Sequence, residues 1–234
     1  MATPFLYIDV GVDALTAAVC ETSMKKIVSL DARTLSYESF DMSWEEGLLT
    51  AALDQVNEDM GFDGCSSAVV LLPSQWFFFR TTDLPFSSKS KIKQVLPLEL
   101  ESTFPSENDL FLTDFTPPAR LSNKEVNRIF SASIQEDQIS GIADALAEYN
   151  IKPVVITPSG SAPAAGYLAL KKEKESFLFI DMTQKEITVT LFSKRQPAAV
   201  RSFRPEALTP DRFFQELNRM MIDFSRCNHD EIRF

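Results

Sequence analysis

The chain has 234 residues, 44% of them hydrophobic, and a formal net charge of -10 at pH 7. This length suits two modest lobes or one large domain, and the apolar content is ordinary for a globular protein. The acidic balance argues against a nucleic-acid surface, which needs clustered Lys and Arg, and favours a partner with a basic face.

The chain opens with a predicted β-hairpin. Residues 5–21 form an apolar strand, a turn that begins at Gly11, and a second β-prone strand. Segments 25–29 and 35–40 could extend this hairpin into a meander. Because both faces of Phe5–Val10 are largely apolar, we expect a central strand that is covered on both sides.

A helix and a buried strand follow the hairpin. Ser43, with Glu46 three residues later, predicts a capping box at the start of the helix, and Gly61 predicts its end. One apolar stripe at helical spacing contains Trp44, Leu48, Ala52, Val56 and Met60. The β-branched segment Ser67–Leu72 then predicts a buried strand.

The sequence pattern changes in the middle of the chain, and the order of its predicted elements indicates a small α+β unit. The predicted elements are an aromatic strand at Trp76–Arg80, a helix kinked or restarted at Pro97, strands at 110–115 and 129–135, and a helix over 136–149. Four successive aromatic residues cannot all face one side of a sheet, so some should meet a neighbouring subdomain or a partner. The polar segment 116–127 predicts a mobile loop.

The last third of the chain returns to the first pattern. The predicted elements are a buried strand at Val154–Ile156, a short helix with Pro163 near its start, a hairpin from Phe177–Ile180 and Ile187–Phe192, a third strand at Ala198–Phe203, and an amphipathic helix that begins at Thr209-Pro210. Ser159-Gly160-Ser161 has no plausible base nearby and is interpreted as an ordinary strand-to-helix loop.

Cysteine and histidine usage excludes several chemistries. Cys20, Cys65 and Cys227 include no C-x-x-C pair, so we expect reduced thiols that act as small core residues. His229 is the single histidine, which leaves almost no material for a His-based triad or a zinc site. The N-terminus has no basic n-region, and the longest apolar run, 68–72, is far too short to span a bilayer.

The two hairpins are near copies of each other. Each has an apolar strand that ends in Asp (Asp9 or Asp181), then a tight turn and a second strand. Asp9 and Gly11 could form a phosphate-binding turn, in which backbone amides approach an anion and the carboxylate positions a metal-bound water. The alternative is a plain hairpin in which glycine supplies a positive φ. The second turn has Thr183 in place of the expected glycine, and its Cβ should hinder an anion. We therefore predict that residues 181–183 bind no phosphate.

The duplicated hairpins resemble those of the actin-like ATPase superfamily, in which two such hairpins grip a nucleotide phosphate chain from opposite sides. The resemblance implies an α/β, ribonuclease H-like fold with a duplicated, hairpin-containing lobe. The implied division is a first lobe at 1–80 and 154–173, an inserted α+β subdomain at 81–153, and a truncated second lobe at 174–234.

The segment from Leu71 to Glu101 carries a more specific resemblance. It contains L-L-P-S, an aromatic strand with Arg80, D-L-P, and Q-V-L-P-L-E-L-E. This order is similar to that of the type II secretion system protein L family and the related type IV pilus assembly protein M. Leu98 stands where an aromatic residue is usual. Pilus protein M generally keeps a glycine in the second turn, so Thr183 is closer to protein L.

The resemblance to protein L implies a non-catalytic cytoplasmic scaffold without a cofactor. Such a scaffold recruits the secretion ATPase, through its N-terminal domain, to the platform proteins on the cytoplasmic face of the bacterial inner membrane. The end of the chain after the last helix suits a cytoplasmic portion that precedes a membrane helix.

The alternative is a pilus protein M-like protein that binds ATP and the N-terminal tail of a membrane partner, with ATP and Mg²⁺ held by Asp9, Gly11 and Asp181. No nucleic-acid partner is expected, and homodimer formation is kept open.

The partner surface is predicted near the most recognisable segment. Its residues are Phe78, Arg80, Glu99 and Glu101. The alternative is that this segment is recognisable because it packs a core.

Overall fold

Strands and helices alternate along the chain in a computed structural model that describes residues 4–23, 26–36, 47–105, 109–120, 126–171, 176–183, 186–193 and 195–228. The strands are β1 (Pro4–Val10), β2 (Ala14–Ser23), β3 (Lys26–Ser36), β4 (Ser67–Leu72), β5 (Phe78–Leu84), β6 (Phe111–Phe115), β7 (Ala119–Arg120), β8 (Asn127–Gln135), β9 (Lys152–Pro158), β10 (Phe177–Met182), β11 (Ile187–Ser193) and β12 (Gln196–Phe203). The helices are α1 (Leu48–Met60), α2 (Lys89–Glu101), α3 (Glu136–Ala147), α4 (Ser161–Leu170) and α5 (Pro210–Asn228), and short 3-10 turns lie at Ser74–Trp76 and Pro205–Ala207.

The chain divides into two compact units. The first unit comprises Met1–Trp76 with Glu136–Ala162, and the second comprises Phe77–Gln135 with Pro163–Phe234. Among the described residues, no helix combines the length and the apolar character that a membrane crossing needs.

The first unit is built on a five-stranded sheet in the order β3-β2-β1-β4-β9. Strand β1 is central, as predicted, and runs antiparallel to β2 and parallel to β4. Leu6, Ile8 and Val10 are at most 2% exposed, because alternate side chains of a strand point to the same face. On the other face Tyr7 is 42% exposed. The expected cover on both sides of β1 is therefore incomplete.

Helices α1 and α3 pack against each other in this unit, and they contribute the fully buried residues Leu53, Ile142 and Leu146. Gly61 ends α1 as predicted: it has a φ of 72°, and its N–H donates to the Asn57 carbonyl at 2.8 Å. Strand β3 is one continuous strand where two segments were predicted. The predicted capping box at 43–46, Trp44 and residues 37–40 lie outside the described residues.

A second, smaller sheet in the order β5-β8-β6, with β7 also paired to β8, opens the second unit. Helix α2 covers one of its faces, and the buried residues are Leu84, Ile92, Leu96, Leu100 and Ile129. Pro97 does not interrupt α2, since the carbonyl that loses its partner is on the exposed side of the helix and can be hydrated. Trp76 is 2% exposed and ends a 3-10 turn rather than belonging to β5. Within the predicted loop 116–127, residues 121–125 lie outside the described residues.

The second unit also contains the three-stranded sheet β10-β11-β12, as predicted from the repeated pattern. All side chains of residues 187–192 are buried, so the central strand β11 is covered on both faces. Met220 and Phe224 of α5 pack against one face. A hydrogen bond of 2.9 Å from the Thr81 hydroxyl to the Ala198 carbonyl links β5 to β12.

The compact units have different bounds from the predicted lobes. Residues 136–153, assigned to the inserted subdomain, lie in the first unit. The reason is that β9 pairs in parallel with β4, and α3 packs on β9 and α1. The sheet of the predicted insertion spans 78–135, and the division into two actin-like lobes with an insertion stays a prediction.

Candidate functional site

The first candidate site is the turn between β1 and β2. The N–H of Gly11 donates to the carbonyl oxygen of Ala14 at 2.8 Å, which closes the turn. A Cβ at Gly11 would lie 2.9 Å from that same oxygen, which is closer than a carbon and an oxygen can approach without strain. Gly11 does not have a positive φ. The glycine is therefore required by space, and the explanation by a positive φ is wrong.

The second turn repeats this geometry. Asp9 pairs with Thr16 in the first hairpin, and Asp181 pairs with Thr188 at the equivalent position of the second. The N–H of Thr183 donates to the carbonyl oxygen of Glu186 at 2.8 Å. The predicted duplication is thus confirmed in the strand register and in the hydrogen bond that closes each turn.

The side chain at Thr183 distinguishes the two turns. Its hydroxyl donates to the Glu186 carbonyl and accepts from the Glu186 N–H, both at 2.9 Å. The Glu186 N–H is therefore engaged within the turn. Gln184 and Lys185 lie outside the described residues.

The Asp181 carboxyl is partly buried, and this burial raises its pKa above the usual value of an Asp. A raised pKa means that the surroundings disfavour the charged form. The charged form is the one that would bind Mg²⁺ or orient a metal-bound water.

The surroundings of Asp9 are more polar. Asp9 lies in one cross-strand row with Thr16 and Thr34 on one side and Leu71 and Thr157 on the other. Directly paired residues share a face, so three hydroxyl groups accompany the carboxylate. Thr16 and Thr34 are hydrogen-bonded at 2.9 Å. This row, together with the Gly11 turn, is the part of the first unit best suited to a polar ligand.

A serine network lies at the carboxyl ends of β4 and β9. Ser74 is 1% exposed, accepts a hydrogen bond of 3.1 Å from the N–H of Gly160, and lies 3.4 Å from the hydroxyl of Ser159. Ser161 bonds to Thr157 at 2.8 Å and to the carbonyl of Pro158 at 2.6 Å. Residues 159–161 connect β9 to α4, as predicted, and these bonds tie this loop to the loop after β4. The L-L-P-S pattern in the sequence was the signal that could have identified Ser74.

Among the described residues, no group of three or more His, Cys, Asp or Glu side chains is arranged to hold a metal ion. His229 lies outside those residues. Cys20 and Cys65 are free thiols and are buried, as predicted. Burial raises the pKa of the Cys65 thiol, so it is a poor nucleophile.

The predicted partner residues separate into two kinds. Phe78 packs edge-on against Phe111, with ring centroids 5.3 Å apart, and is partly buried, which is typical of a core aromatic residue. Arg80 is exposed, and its guanidinium donates to the neighbouring carbonyl of Phe79 at 2.9 Å. Glu99 and Glu101 are exposed on α2. Three of the four residues are therefore accessible to a partner, and their role stays a prediction.

Comparison with solved structures identifies the fold. The chain superposes on the pilus protein of a PilM–PilN type IV pilus biogenesis complex with a TM-score of 0.69, at 18% identity, over 85% of this chain and 61% of that one. It superposes on a Bacteroides thetaiotaomicron protein with an actin-like ATPase fold and unknown function with a TM-score of 0.55, at 15% identity, over 96% and 78% of the two chains. The chain has the actin-like ATPase fold.

The cytoplasmic domain of EpsL is a further structural neighbour. EpsL is an inner-membrane component of the type II secretion system of Vibrio cholerae, and the TM-score is 0.59 at 13% identity, over 88% of this chain and 73% of that one. No protein-family model and no curated protein matches the sequence. The predicted resemblance to these two systems is thus found in structure, where identities this low establish the fold alone. The chain spans about three fifths of the length of the pilus protein.

The actin-like fold explains why the two hairpin turns correspond so closely. One turn keeps a glycine where a side chain would collide with the chain itself. The other has a threonine whose side chain completes the turn. The two turns thus share one backbone geometry and differ in whether a side chain completes the turn.

Proposed function

We propose that this chain is a non-catalytic adaptor of an inner-membrane secretion or pilus assembly platform, acting at the cytoplasmic face of the bacterial inner membrane. The observation that carries the proposal is the closed second turn. The Thr183 hydroxyl accepts a hydrogen bond from the Glu186 N–H. The Glu186 N–H is thereby unavailable to a phosphate. Partial burial of the nearby Asp181 carboxyl disfavours its charged form.

The proposed partner is the N-terminal domain of the secretion ATPase. The solved neighbours support a platform role: one is in complex with PilN, and the other is named as an inner-membrane component of a secretion system. A net charge of -10 favours a partner with a basic face. Association should accordingly slow and weaken as salt is added.

The described structure contains a surface that can steer such a partner. In the first unit, residues 47–66 and 136–151 include α1 and α3 and contain no Lys or Arg. Their acidic residues are Asp54, Glu58, Asp59, Asp63, Glu136, Asp137, Asp144 and Glu148. A one-sign surface of this kind accelerates encounter, whereas the bound contact is fixed by local groups.

The experiment is a binding titration of the purified ATPase N-terminal domain against matched charge reversals. E99K/E101K alters the predicted contact, and E58K/D59K makes the same charge change on α1. We expect E99K/E101K to weaken binding about tenfold or more and E58K/D59K to reduce mainly the association rate.

Two outcomes would contradict this assignment. Equal weakening by both double variants would assign the effect to net charge rather than to a contact. Failure of the unmodified chain to bind the ATPase domain at low salt would overturn the proposed partner.

A second candidate function is nucleotide binding by a PilM-like protein. The observation that favours it is the first turn, where Gly11 is kept and Asp9 lies in a polar row. Calorimetric titration with ATP and Mg²⁺, repeated on Asp9→Ala, tests it. Saturable micromolar binding that is lost in Asp9→Ala would replace the adaptor proposal with this one.

A further inference from the structure

Strand β10 forms one edge of the sheet β10-β11-β12. Among the described strands it pairs with β11 on one side and with none on the other. The corresponding strand of the first unit, β1, has a neighbour on both sides, since it pairs antiparallel with β2 and parallel with β4. The two hairpins share their register, with Asp9 opposite Thr16 and Asp181 opposite Thr188. The free side of β10 therefore corresponds to the side of β1 that β4 occupies.

The side chains of β10 show the same difference between the two sheets. Ile8 and Val10 of β1 are 2% and 0% exposed, whereas Ile180 and Met182, at the corresponding positions of β10, are 41% and 66% exposed. Ile180 and Met182 share one face of the sheet, because alternate side chains of a strand point the same way. The exposed large apolar side chains of this sheet thus lie at its β10 edge.

The edge at β10 lacks the features that usually keep an edge strand from pairing with another chain, which are Lys, Pro and bulges. Its register with β11 has no shift, and its six residues include no Lys, Arg or Pro. The edge strands β3, β9 and β12 each combine a shift in register with such residues. Those residues are Arg33 in β3, Lys152 and Pro153 in β9, and Pro197 and Arg201 in β12. Asp181 of β10 is no obstacle to a neighbour, since Asp9 takes the same place in β1 beside β4.

Strand β4 shows which kind of segment fits beside such a strand. Its residues Ala68, Val70 and Leu72 are 0% exposed, and Val70 is opposite Ile8 in the parallel register. No residue of β4 carries a charge. A charged side chain at the centre of such a strand would lose its hydration without gaining a partner. The segment that suits the free side of β10 is therefore extended, uncharged and aliphatic.

We propose that the free edge of β10 binds an extended aliphatic segment of a partner protein as a parallel strand, in the place that β4 takes beside β1. The register of the first unit carries over, so the partner residues in the places of Ala68 and Val70 are opposite Leu178 and Ile180. Main-chain hydrogen bonds supply the affinity, and the side chains that cover Ile180 and Met182 supply the selectivity. Because a six-residue strand is much smaller than a standard protein interface, the affinity is in the micromolar range.

The probe that tests this is a labelled peptide with the sequence of β4, Ser67–Leu72, flanked by lysines for solubility. It is titrated with the purified full chain and followed by fluorescence anisotropy. We expect saturable binding, and we expect Ile180→Lys and Met182→Lys each to raise the dissociation constant about tenfold or more, because a lysine on an edge strand opposes strand addition. Ile27→Lys is the matched control. It makes the same change at a 65% exposed position of the edge strand β3 and should leave peptide binding unchanged.

Two N-methylated peptides test the geometry of the added strand. In a parallel strand, alternate residues direct their N–H and C=O groups to the same neighbour. One peptide is methylated on the amides of Ala68 and Val70, and the other on those of Val69 and Leu71. We expect one of the two peptides to lose binding and the other to keep it. Non-specific adsorption of an apolar peptide would not distinguish them, since both carry the same side chains and the same charge.

Loss of folding cannot imitate loss of binding in Met182→Lys. Its melting temperature should be close to that of the unmodified chain, because Met182 is largely exposed. Absence of saturable binding would overturn the proposal, and so would equal binding of the two methylated peptides or unchanged binding by both lysine variants. A dimer of the chain alone that disappears in Met182→Lys would assign this edge to a second copy and would equally overturn it. The experiment contains neither ATPase nor nucleotide, so its outcome is independent of the adaptor proposal.

Discussion

Substitutions at Thr183 test the closure of the second turn most sharply. The hydroxyl makes two hydrogen bonds to Glu186, one to the carbonyl and one from the N–H, both at 2.9 Å. Each such bond contributes roughly 0.5–1.5 kcal/mol. Because Thr183 is on the surface of the molecule, we take the lower half of that range. Thr183→Val, which keeps the shape and removes the hydroxyl, should then cost about 1–2 kcal/mol.

Two further substitutions separate the hydroxyl from the backbone. Thr183→Ser keeps the hydroxyl and should change the free energy of unfolding by less than about 0.5 kcal/mol. Thr183→Gly loses the two bonds and adds a backbone cost of roughly 0.5–1 kcal/mol, so it should be the least stable of the three. The free energy of unfolding should therefore be highest for the serine variant, lower for the valine variant and lowest for the glycine variant.

Urea unfolding at constant pH, followed by circular dichroism, measures the series. In a thermal scan, the same cost of about 1–2 kcal/mol would lower the melting temperature of a chain of this size by roughly 2–8 °C. If Thr183→Val unfolds with the same midpoint as the unmodified chain, the hydroxyl does not close the turn. The structural argument against phosphate binding at this turn would then be wrong.

Three further predictions concern single positions, all measured by urea unfolding. Gly11→Ala should lower the free energy of unfolding by about 1–3 kcal/mol because the new methyl group collides across the turn. Gly141→Ala is the control: this glycine lies in the open on a helix, so the substitution should stabilise the chain by about 0.5–1 kcal/mol. Equal effects of the two substitutions would contradict the collision. Burial raises the pKa of Asp181 in the folded state, so the folded protein holds the proton more tightly than the unfolded chain. The stability that this proton contributes is present below the unfolded pKa and is lost as pH rises through the folded pKa. Asp181→Asn should therefore be more stable at neutral pH, with a smaller loss between acid and neutral pH, and an unchanged profile would refute the shift. Leu96→Ala should cost about 2–5 kcal/mol and Leu98→Ala less than about 0.5 kcal/mol, since one side chain is buried and the other exposed; similar costs would mean that α2 faces the sheet differently.

Periodicity predicted the local elements well because the apolar pattern follows the buried faces directly. The hairpin copies, the end of α1 at Gly61 and the helix at Pro210 are confirmed. The fate of Pro97 was harder to predict. A proline removes one hydrogen bond, and only the tertiary position of that bond decides whether the helix breaks. In α2 the position is exposed, so the helix continues.

The membership of α3 could not be predicted from local pattern either. It follows β8 without a linker, which favours assigning it to the same unit. Its packing on β9 and α1 depends on strand pairing between residues far apart in the chain. The serine network at Ser74 likewise depends on two loops meeting, which the L-L-P-S pattern alone does not show.

The sequence predicted where the two turns of the candidate site lie, but not the contacts that their residues make. Asp9, Gly11 and Asp181 lie in corresponding turns, as the repeat indicated. The reason for Gly11 is a collision across the turn, and a local sequence cannot show such a distance. The double hydrogen bond of Thr183 also needs coordinates, because a threonine at that position could equally have pointed into solvent.

The central claim is that the chain works without a nucleotide, and ligand stabilisation tests it most directly. The unmodified chain is unfolded in urea with and without ATP and Mg²⁺. A ligand present at about 100 times its dissociation constant adds about 2.7 kcal/mol to the free energy of unfolding. We predict no change at any nucleotide concentration up to the millimolar range. A rise that grows with ATP concentration and disappears in Asp9→Ala would contradict the account.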